Sequence, residues 1–458
     1  MRFARGLMIF SYGLFSIAAQ TLLFREFVTT FEGNDISVGI FFGSWFLWVG
    51  LGAVLVYKAK NFAQSLLQNI EFLFLAYVPA FILQAILIIQ AREIAGIESY
   101  ELWSIWAILL SSIVVNAPVS LITGMLFPIA CRWVASNGNQ QNNNFAVSHV
   151  YIIEAAGSFA GGLGVTVLLG LGASLVEVFF LLVFILSSSL FTVELATVRM
   201  QQITRNKNPL STKIKCALSF LVPVSICLCF FTNLDKSLLS YVQVIKWAKL
   251  LPENAYKGSF QTAQAEYLYG IYQDQWIAIR EGSVVETLPD ESTAGRIAAI
   301  GLSQKPDTKE ALVIGSGLGL CNKLLELPQI EGVTWAYCDN EYVNRITKFI
   351  PDDLKVSDPR LEFLASDIRD FLSEAHQVFD IVILNLPDAT SSVLNRYYTL
   401  EFYHLIKKAL RSEGVLAVRV AGGENIMGTE LINLGASIKL TLEQEFSQLV
   451  LIPGDDTG

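Results

Sequence analysis

The sequence predicts a chain in two parts: a bundle of apolar helices that cross a membrane, then an α/β domain built on a mostly parallel sheet. Three observations lead there. Apolar runs of membrane-spanning length fill the chain as far as Thr232. Beyond Ala311, short apolar strand patterns alternate with helical ones, as a parallel sheet with crossover helices requires. Within Ala311–Asp339, a strand pattern stops at a glycine cluster, a helical pattern follows, and a second apolar run ends in an acid.

That last stretch organises the second part. Gly315, Gly317 and Gly319 alternate with Ser316 and Leu318. Glycines there let the backbone approach a ligand and let a helix start tightly on its strand. Asp339 lies about 20 residues on, where an acid at the next strand's tip can hold ribose hydroxyls. The glycine spacing is shorter than GxGxxG, so an adenosyl-type nucleoside fits better than a dinucleotide. The same pattern also serves an ordinary strand-to-helix turn that needs glycine for its geometry alone.

Composition sets the outer bounds. A chain of 458 residues exceeds a single domain. It is 53% hydrophobic and only 16% charged, against about 25% charged in soluble proteins, and its mean hydropathy is +0.49. The net charge of −9, with no basic patch in the second half, argues against a nucleic-acid surface. The six cysteines form no CxxC pair and there are only three histidines, so neither a metal site nor a disulfide framework is expected.

The first apolar run, Leu7–Phe24, lacks a small-residue cleavage signal and reads as a spanning helix. Further spans are expected at Ile36–Tyr57, Phe72–Gln90, Leu102–Ala130, Ser148–Leu171, Ser174–Leu195 and Ala217–Thr232, about seven in all. Pro118 and Pro128 kink or break the fourth. The fifth carries Glu154, an intramembrane carboxylate and so a functional candidate, though an interfacial position or a partner within the bundle also accounts for it. Gly157 and Gly161 on that helix form GxxxG, a close-packing face. Lys and Arg concentrate on the side of the N-terminus, which the positive-inside rule places in the cytoplasm; seven crossings then put the C-terminal domain on the non-cytoplasmic side.

Leu234–Lys249 reads as an amphipathic interfacial helix. Gln264–Glu286 alternates in strand fashion, with a hairpin turn near Glu281–Gly282. A helix over Ser292–Leu302 leads into the α/β part. Strands are expected at Ala311–Ile314, Val333–Cys338, Leu361–Leu364, Ile381–Leu384 and Val415–Val420, with helices between them. Ser437–Leu442 and Ser447–Ile452 read as a final pair, the second forming the sheet's edge.

Over roughly Gln264–Gly454 the residues resemble the spermidine synthase (aminopropyltransferase) family, especially its membrane-bound branch. The motifs are LVIGSGLG, ASDIRDFL, DIVILNLPDATSSVLNRYYTLEFY and the run GGEN, TLEQEF, LIPG; the EGND loop and the apolar first half are similar to that branch's multi-span part. The resemblance implies a Rossmann-like, methyltransferase-type domain carrying a small N-terminal β-hairpin subdomain. It gives domain bounds of 1–233 for the helical membrane domain, 234–262 for an interfacial helix and linker, 263–303 for the hairpin subdomain and 304–458 for the α/β domain. It implies decarboxylated S-adenosylmethionine as aminopropyl donor, putrescine or a similar amine as acceptor, and no metal.

The resemblance also carries residue roles. The family's acid-x-x-acid stretch is Asn385-Leu386-Pro387-Asp388 here: Asp388 keeps the second acid, and Asn385 stands where the family has its base. An amide cannot accept a proton near neutral pH. Asp367 matches the acid beside the adenine and the donor's amine, and Asp339 the strand-tip acid. Tyr337 stands in place of the diol-binding glutamate, and Leu318 in place of the glycine-loop acid. The family's sheet finishes with an antiparallel hairpin, for which no strand follows Ile452, so a protein partner or a second copy is expected to cover the open edge.

Three functions stay open: aminopropyl transfer by a membrane-anchored enzyme, a catalytically degenerate synthase-like subunit that docks or binds within a complex, and a transporter using the Glu154 bundle. The last lacks the paired broken segments of that class.

Overall fold

The computed structural model describes all residues except 1, 32–34, 98–102, 136–142, 204–209, 263, 281, 365, 390–391, 421–428 and 453–458. Most of the EGND loop, the GGEN run, the end of LIPG and the turn residue Glu281 therefore lie outside the described residues. The chain divides into two compact units, Met1–Lys246 and Trp247–Gly458.

The first unit is helical: α1 (Arg2–Thr30), α2 (Asp35–Lys58), α3 (Lys60–Gln68), α4 (Ile70–Leu75), α5 (Tyr77–Ile89), α6 (Ala91–Ala95), α7 (Ile105–Val115), α8 (Ala117–Ala135), α9 (Asn143–Gly170), α10 (Leu175–Ile203), α11 (Leu210–Phe231) and α12 (Leu234–Ala248), the last running across the division. Among the described residues, seven helical stretches are long and apolar enough to cross a membrane by length and composition. The expected span Leu102–Ala130 contains a break between α7 and α8 at Asn116, which stays near helical geometry (φ −83°, ψ −5°). Pro118 lacks an N–H and its ring crowds the preceding turn. Gln84 of α5 repairs the gap: its Oε1 accepts from Val119 N at 2.9 Å and its Nε2 donates to Asn116 Oδ1 at 3.1 Å. Asn116 Nδ2 in turn donates to Ser44 Oγ of α2 at 2.7 Å.

Gly157 and Gly161 pack α9 against α1 of the same chain; a Cβ on either would overlap the carbonyl of Phe10 or of Leu14. Glu154 Oε1 lies 3.0 Å from the Ser158 hydroxyl one turn along.

In the second unit, β1 (Tyr256–Gln261), β2 (Glu266–Tyr272), β3 (Gln275–Arg280) and β4 (Ser283–Leu288) form an antiparallel sheet in sequence order. Gln273 and Asp274, at φ 50° and 62°, make the tight β2–β3 turn, which needs two positive angles. Strand β1 lies in the segment expected as linker. Of its six residues only Tyr256 and Phe260 are large and apolar, so it pairs by its backbone with β2 and leaves little periodic signal.

Then follow α13 (Thr293–Gln304), β5 (Glu310–Gly315), α14 (Leu318–Leu325), β6 (Gly332–Ala336), α15 (Asn340–Ile346), β7 (Leu361–Phe363), α16 (Ile368–Glu374), β8 (Phe379–Asn385), α17 (Ser392–Asn395), α18 (Leu400–Ala409), β9 (Leu410–Val418) and α19 (Thr429–Glu445). The five strands are all parallel, in the order β7-β6-β5-β8-β9. Alternate residues of β5 and β8 face opposite layers. Ala311, Val313, Ile381 and Ile383 join a core with α14 and the antiparallel sheet, and Leu312, Ile314, Val382 and Leu384 join one with α16, α18 and α19. This is a Rossmann-type sheet covered on both faces.

The end of the chain departs from expectation. Ser437–Leu442 is part of helix α19, and no strand follows it among the described residues. Leu434, Ile438 and Leu442 recur every four residues and bury one helical face, with Ile438 and Leu442 4% and 7% exposed. That spacing belongs to a helix rather than a strand.

Candidate active site

In open parallel sheets ligands bind beyond the strands' C-terminal ends, where the strand order reverses. Here the reversal falls between β5 and β8, at Gly315 and Asn385. Gly315 has φ +107°, and a Cβ on it would collide with the Asn385 carbonyl, so only glycine fits. A Cβ on Gly317 would run into the Val313 side chain. These two glycines let the loop lie against its own sheet.

Asn385 holds that loop at two points. Its carbonyl accepts from Ser316 N at 3.0 Å, and its Nδ2 donates to the Ser316 carbonyl at 2.5 Å. Its Oδ1 accepts from Arg419 Nη1 at 3.3 Å. The amide is oriented by its partners: a carbonyl on one side needs a donor and a guanidinium on the other needs an acceptor.

The main residue that sequence reading missed is Glu286 of β4. Its side chain is buried under the glycine loop and accepts from Leu318 N at 2.8 Å, Gly317 N at 3.2 Å and Gly319 N at 3.4 Å. It therefore caps the N-terminus of α14, where dinucleotide folds place a pyrophosphate. A carboxyl group already on these donors leaves them closed to a phosphate. Burial pushes the Glu286 carboxyl up to about 8, against the lowering effect of the three N–H groups. The sequence signal was slight: one acid between Val285 and Thr287 in an otherwise uncharged strand.

The structure places Asp339 at the tip of β6, 1% exposed. Its Oδ2 accepts from Thr262 Oγ1 at 2.6 Å and from the Tyr267 hydroxyl at 2.9 Å, and its Oδ1 caps α15 through Glu341 N at 3.2 Å. Its three bonds thus tie the antiparallel sheet to the parallel one. Tyr337, 2% exposed, packs on the Tyr342 ring at 4.5 Å. The Tyr342 hydroxyl is buried and makes no hydrogen bond.

Asp367 caps α16 through Arg369 N at 2.8 Å and pairs with Arg396 at 3.2 Å. It remains partly exposed, with its side chain at 39%. Asp388 lies three residues beyond Asn385 and is partly buried. The structure thus sets Gly315 and Ser316 against Asn385 at the C-terminal ends of β5 and β8, holds Gly317 and Gly319 on Glu286, places Asp388 and Asp367 on the loops after β8 and β7, and ties Asp339 to Thr262 and Tyr267. Among the described residues, no three His, Cys, Asp or Glu side chains lie close enough to hold a metal ion.

The spermine/spermidine synthase domain profile matches residues 292–452, and the C-terminal region of this chain is a domain of that family. The chain is 32% identical over 117 residues to a polyamine aminopropyltransferase of Nitrosomonas europaea, covering 25% of this chain and 36% of that one. It is 29% identical over 121 residues to one of Leptospira interrogans, covering 25% and 24%. The chain thus spans about a third or less of the length of these relatives. A crystal structure of spermidine synthase in complex with the transition state analogue AdoDATO matches at 20% identity and a TM-score of 0.38, covering 43% of this chain and 66% of that one.

Proposed function

We propose that this protein is a membrane-anchored aminopropyltransferase, taking decarboxylated S-adenosylmethionine as donor and an amine as acceptor. The observation that carries the reading is the Gly315–Gly319 loop at the β5–β8 switch point, inside a spermine/spermidine synthase domain. Glu286 on the loop's N–H groups supports a donor without phosphate. Asp367, partly exposed and paired with Arg396, meets the donor's amine in this reading.

The chemistry is displacement at carbon. The acceptor nitrogen's lone pair attacks the methylene bonded to sulfur; the C–N bond forms, the C–S bond breaks, and its electron pair returns to sulfur, leaving a neutral thioether nucleoside. The acceptor must lose a proton. Asn385 cannot take it, so the proton passes to Asp388. Loss of a general base typically costs about 10²–10⁴ in rate, and turnover is correspondingly slow.

The seven apolar stretches anchor the domain to a bilayer, with the N-terminus cytoplasmic and the C-terminal unit on the other side. A protein partner or second copy lies against the 447–452 segment or the helical bundle. A second reading, a binding module without turnover, is favoured by the Asn385 amide locked between Ser316 and Arg419.

The test uses the full chain in detergent, with calorimetric titration of the donor and mass spectrometry of the products. Binding with release of thioether and aminopropylated amine supports transfer. Binding without product supports the second reading, and no binding overturns both.

A further inference from the structure

We propose that Tyr398 is a positioning residue for the acceptor amine: its hydroxyl holds the turn that leads from β8 into Asp388, and so fixes where that carboxylate meets the ammonium. The inference rests on the transferase reading above and assigns a role within the same site.

Strand β8 ends at Asn385, and the two residues after it leave the sheet. Pro387 has no N–H, so its backbone can be held only through its carbonyl. The Tyr398 hydroxyl donates to that carbonyl at 3.0 Å and lies 3.3 Å from the Leu386 carbonyl. One phenol thus meets both carbonyls between Asn385 and Asp388.

Tyr398 is itself fixed. It lies between α17 and α18, and its backbone N donates to the Asn395 carbonyl at 2.9 Å. The next residue, Thr399, caps α18 through Phe402 N at 3.3 Å. The Tyr398 side chain is 4% exposed, in the core that holds Leu386, Phe402 and Tyr403. The Tyr403 hydroxyl is buried too and makes no hydrogen bond, so of these two phenols Tyr398 is the one that grips the turn. The same phenol feels Asp388: burial pushes it up most, and the Asp388 carboxylate pushes it further. A group that holds the turn and lies within the carboxylate's field sets that carboxylate's place. Displacing a reacting group by about 1 Å can cost about a hundredfold in rate.

The experiment is a double-mutant cycle on the full chain in detergent, with wild type, Tyr398→Phe, Asp388→Asn and the double variant. Tyr398→Phe keeps the buried ring and removes only the hydroxyl. Each protein is titrated calorimetrically with the thioether nucleoside, then, saturated with it, with 1,4-diaminobutane, and is assayed for product with the donor. The nucleoside is expected to bind all four equally. Each single variant is expected to weaken the amine by about tenfold, as loss of one hydrogen bond to a charged group does. The double variant is expected to lose no more than either, and kcat to follow the same pattern at unchanged nucleoside affinity. Wild-type amine affinity in Tyr398→Phe, a loss that adds to that of Asp388→Asn, a matching loss of nucleoside binding in Tyr398→Phe, or no amine binding by the nucleoside-saturated wild type overturns the proposal and leaves the nucleoside site standing. Failure of the wild type to bind the nucleoside overturns the transferase reading, and this proposal with it, so the two failures are distinct.

Discussion

Asn385 and Ser316 grip each other through both backbone and side chain: Ser316 N donates to the Asn385 carbonyl, and Asn385 Nδ2 donates back to the Ser316 carbonyl. The residue standing at the family's base position is therefore a clamp on the glycine loop. Its amide nitrogen does what no carboxylate can.

Asn385→Asp is accordingly expected not to restore a base. The new carboxylate would face the Ser316 carbonyl oxygen, and the clamp would be lost or the acid would stay protonated. Nucleoside affinity should fall, by about tenfold for one lost hydrogen bond of roughly 1.4 kcal/mol. Calorimetry on the variant checks this; a gain in transfer rate at unchanged affinity would show the clamp to be incidental.

Glu286 makes stability depend on pH. Its folded value, near 8, lies above the usual 4.5. A raised acid stabilises the fold fully below the unfolded value and loses that contribution as pH rises through the folded one. The second unit should therefore be more stable near pH 5 than near pH 9. One pKa unit is about 1.4 kcal/mol, and 1 kcal/mol shifts Tm by roughly 2–4 °C in a domain of this size, so a rise from 4.5 to about 8 makes the fall on the order of ten degrees. Glu286→Gln should flatten the profile. Tryptophan-fluorescence melts across that pH range decide it, and parallel profiles for the two proteins would count against Glu286 as the source.

Asp339→Ala should loosen the antiparallel sheet. It leaves the buried Tyr267 hydroxyl without its acceptor and the Thr262 hydroxyl with only the Ala265 carbonyl at 3.2 Å, at a cost of about 1–3 kcal/mol per unsatisfied group. Hydrogen exchange should quicken in β1 and β2. Unchanged protection with a large loss of nucleoside affinity would assign Asp339 to the ribose instead.

The charge pattern between the apolar stretches predicts opposite sides for the two termini. A reporter active only in the cytoplasm should be silent when fused after Gly458 and active when fused before Met1. A cytoplasmic signal at the C-terminus would mean an even number of crossings, with the short apolar helix α7 crossing apart from α8.

The sequence by itself determined most of the elements and the strand end at which the glycine turn falls. Period-2 and period-3.6 patterns are written in consecutive residues, so the apolar runs, the alternation after Ala311 and the glycine turn were legible there, and with them the strand ends that carry Gly315, Asp339 and Asn385. It did not announce β1, whose apolar side chains are too few, and the end of the chain read as strands until Leu434, Ile438 and Leu442 were seen to share one buried helical face. Tertiary structure alone decided what each polar group does. Glu286 meets Gly317 across 31 residues, Asn385 meets Arg419 across 34, and Asp339 meets Thr262 across 77. A buried acid or amide must be satisfied by whichever donor or acceptor the fold brings to it, and no local pattern specifies a partner so distant along the chain.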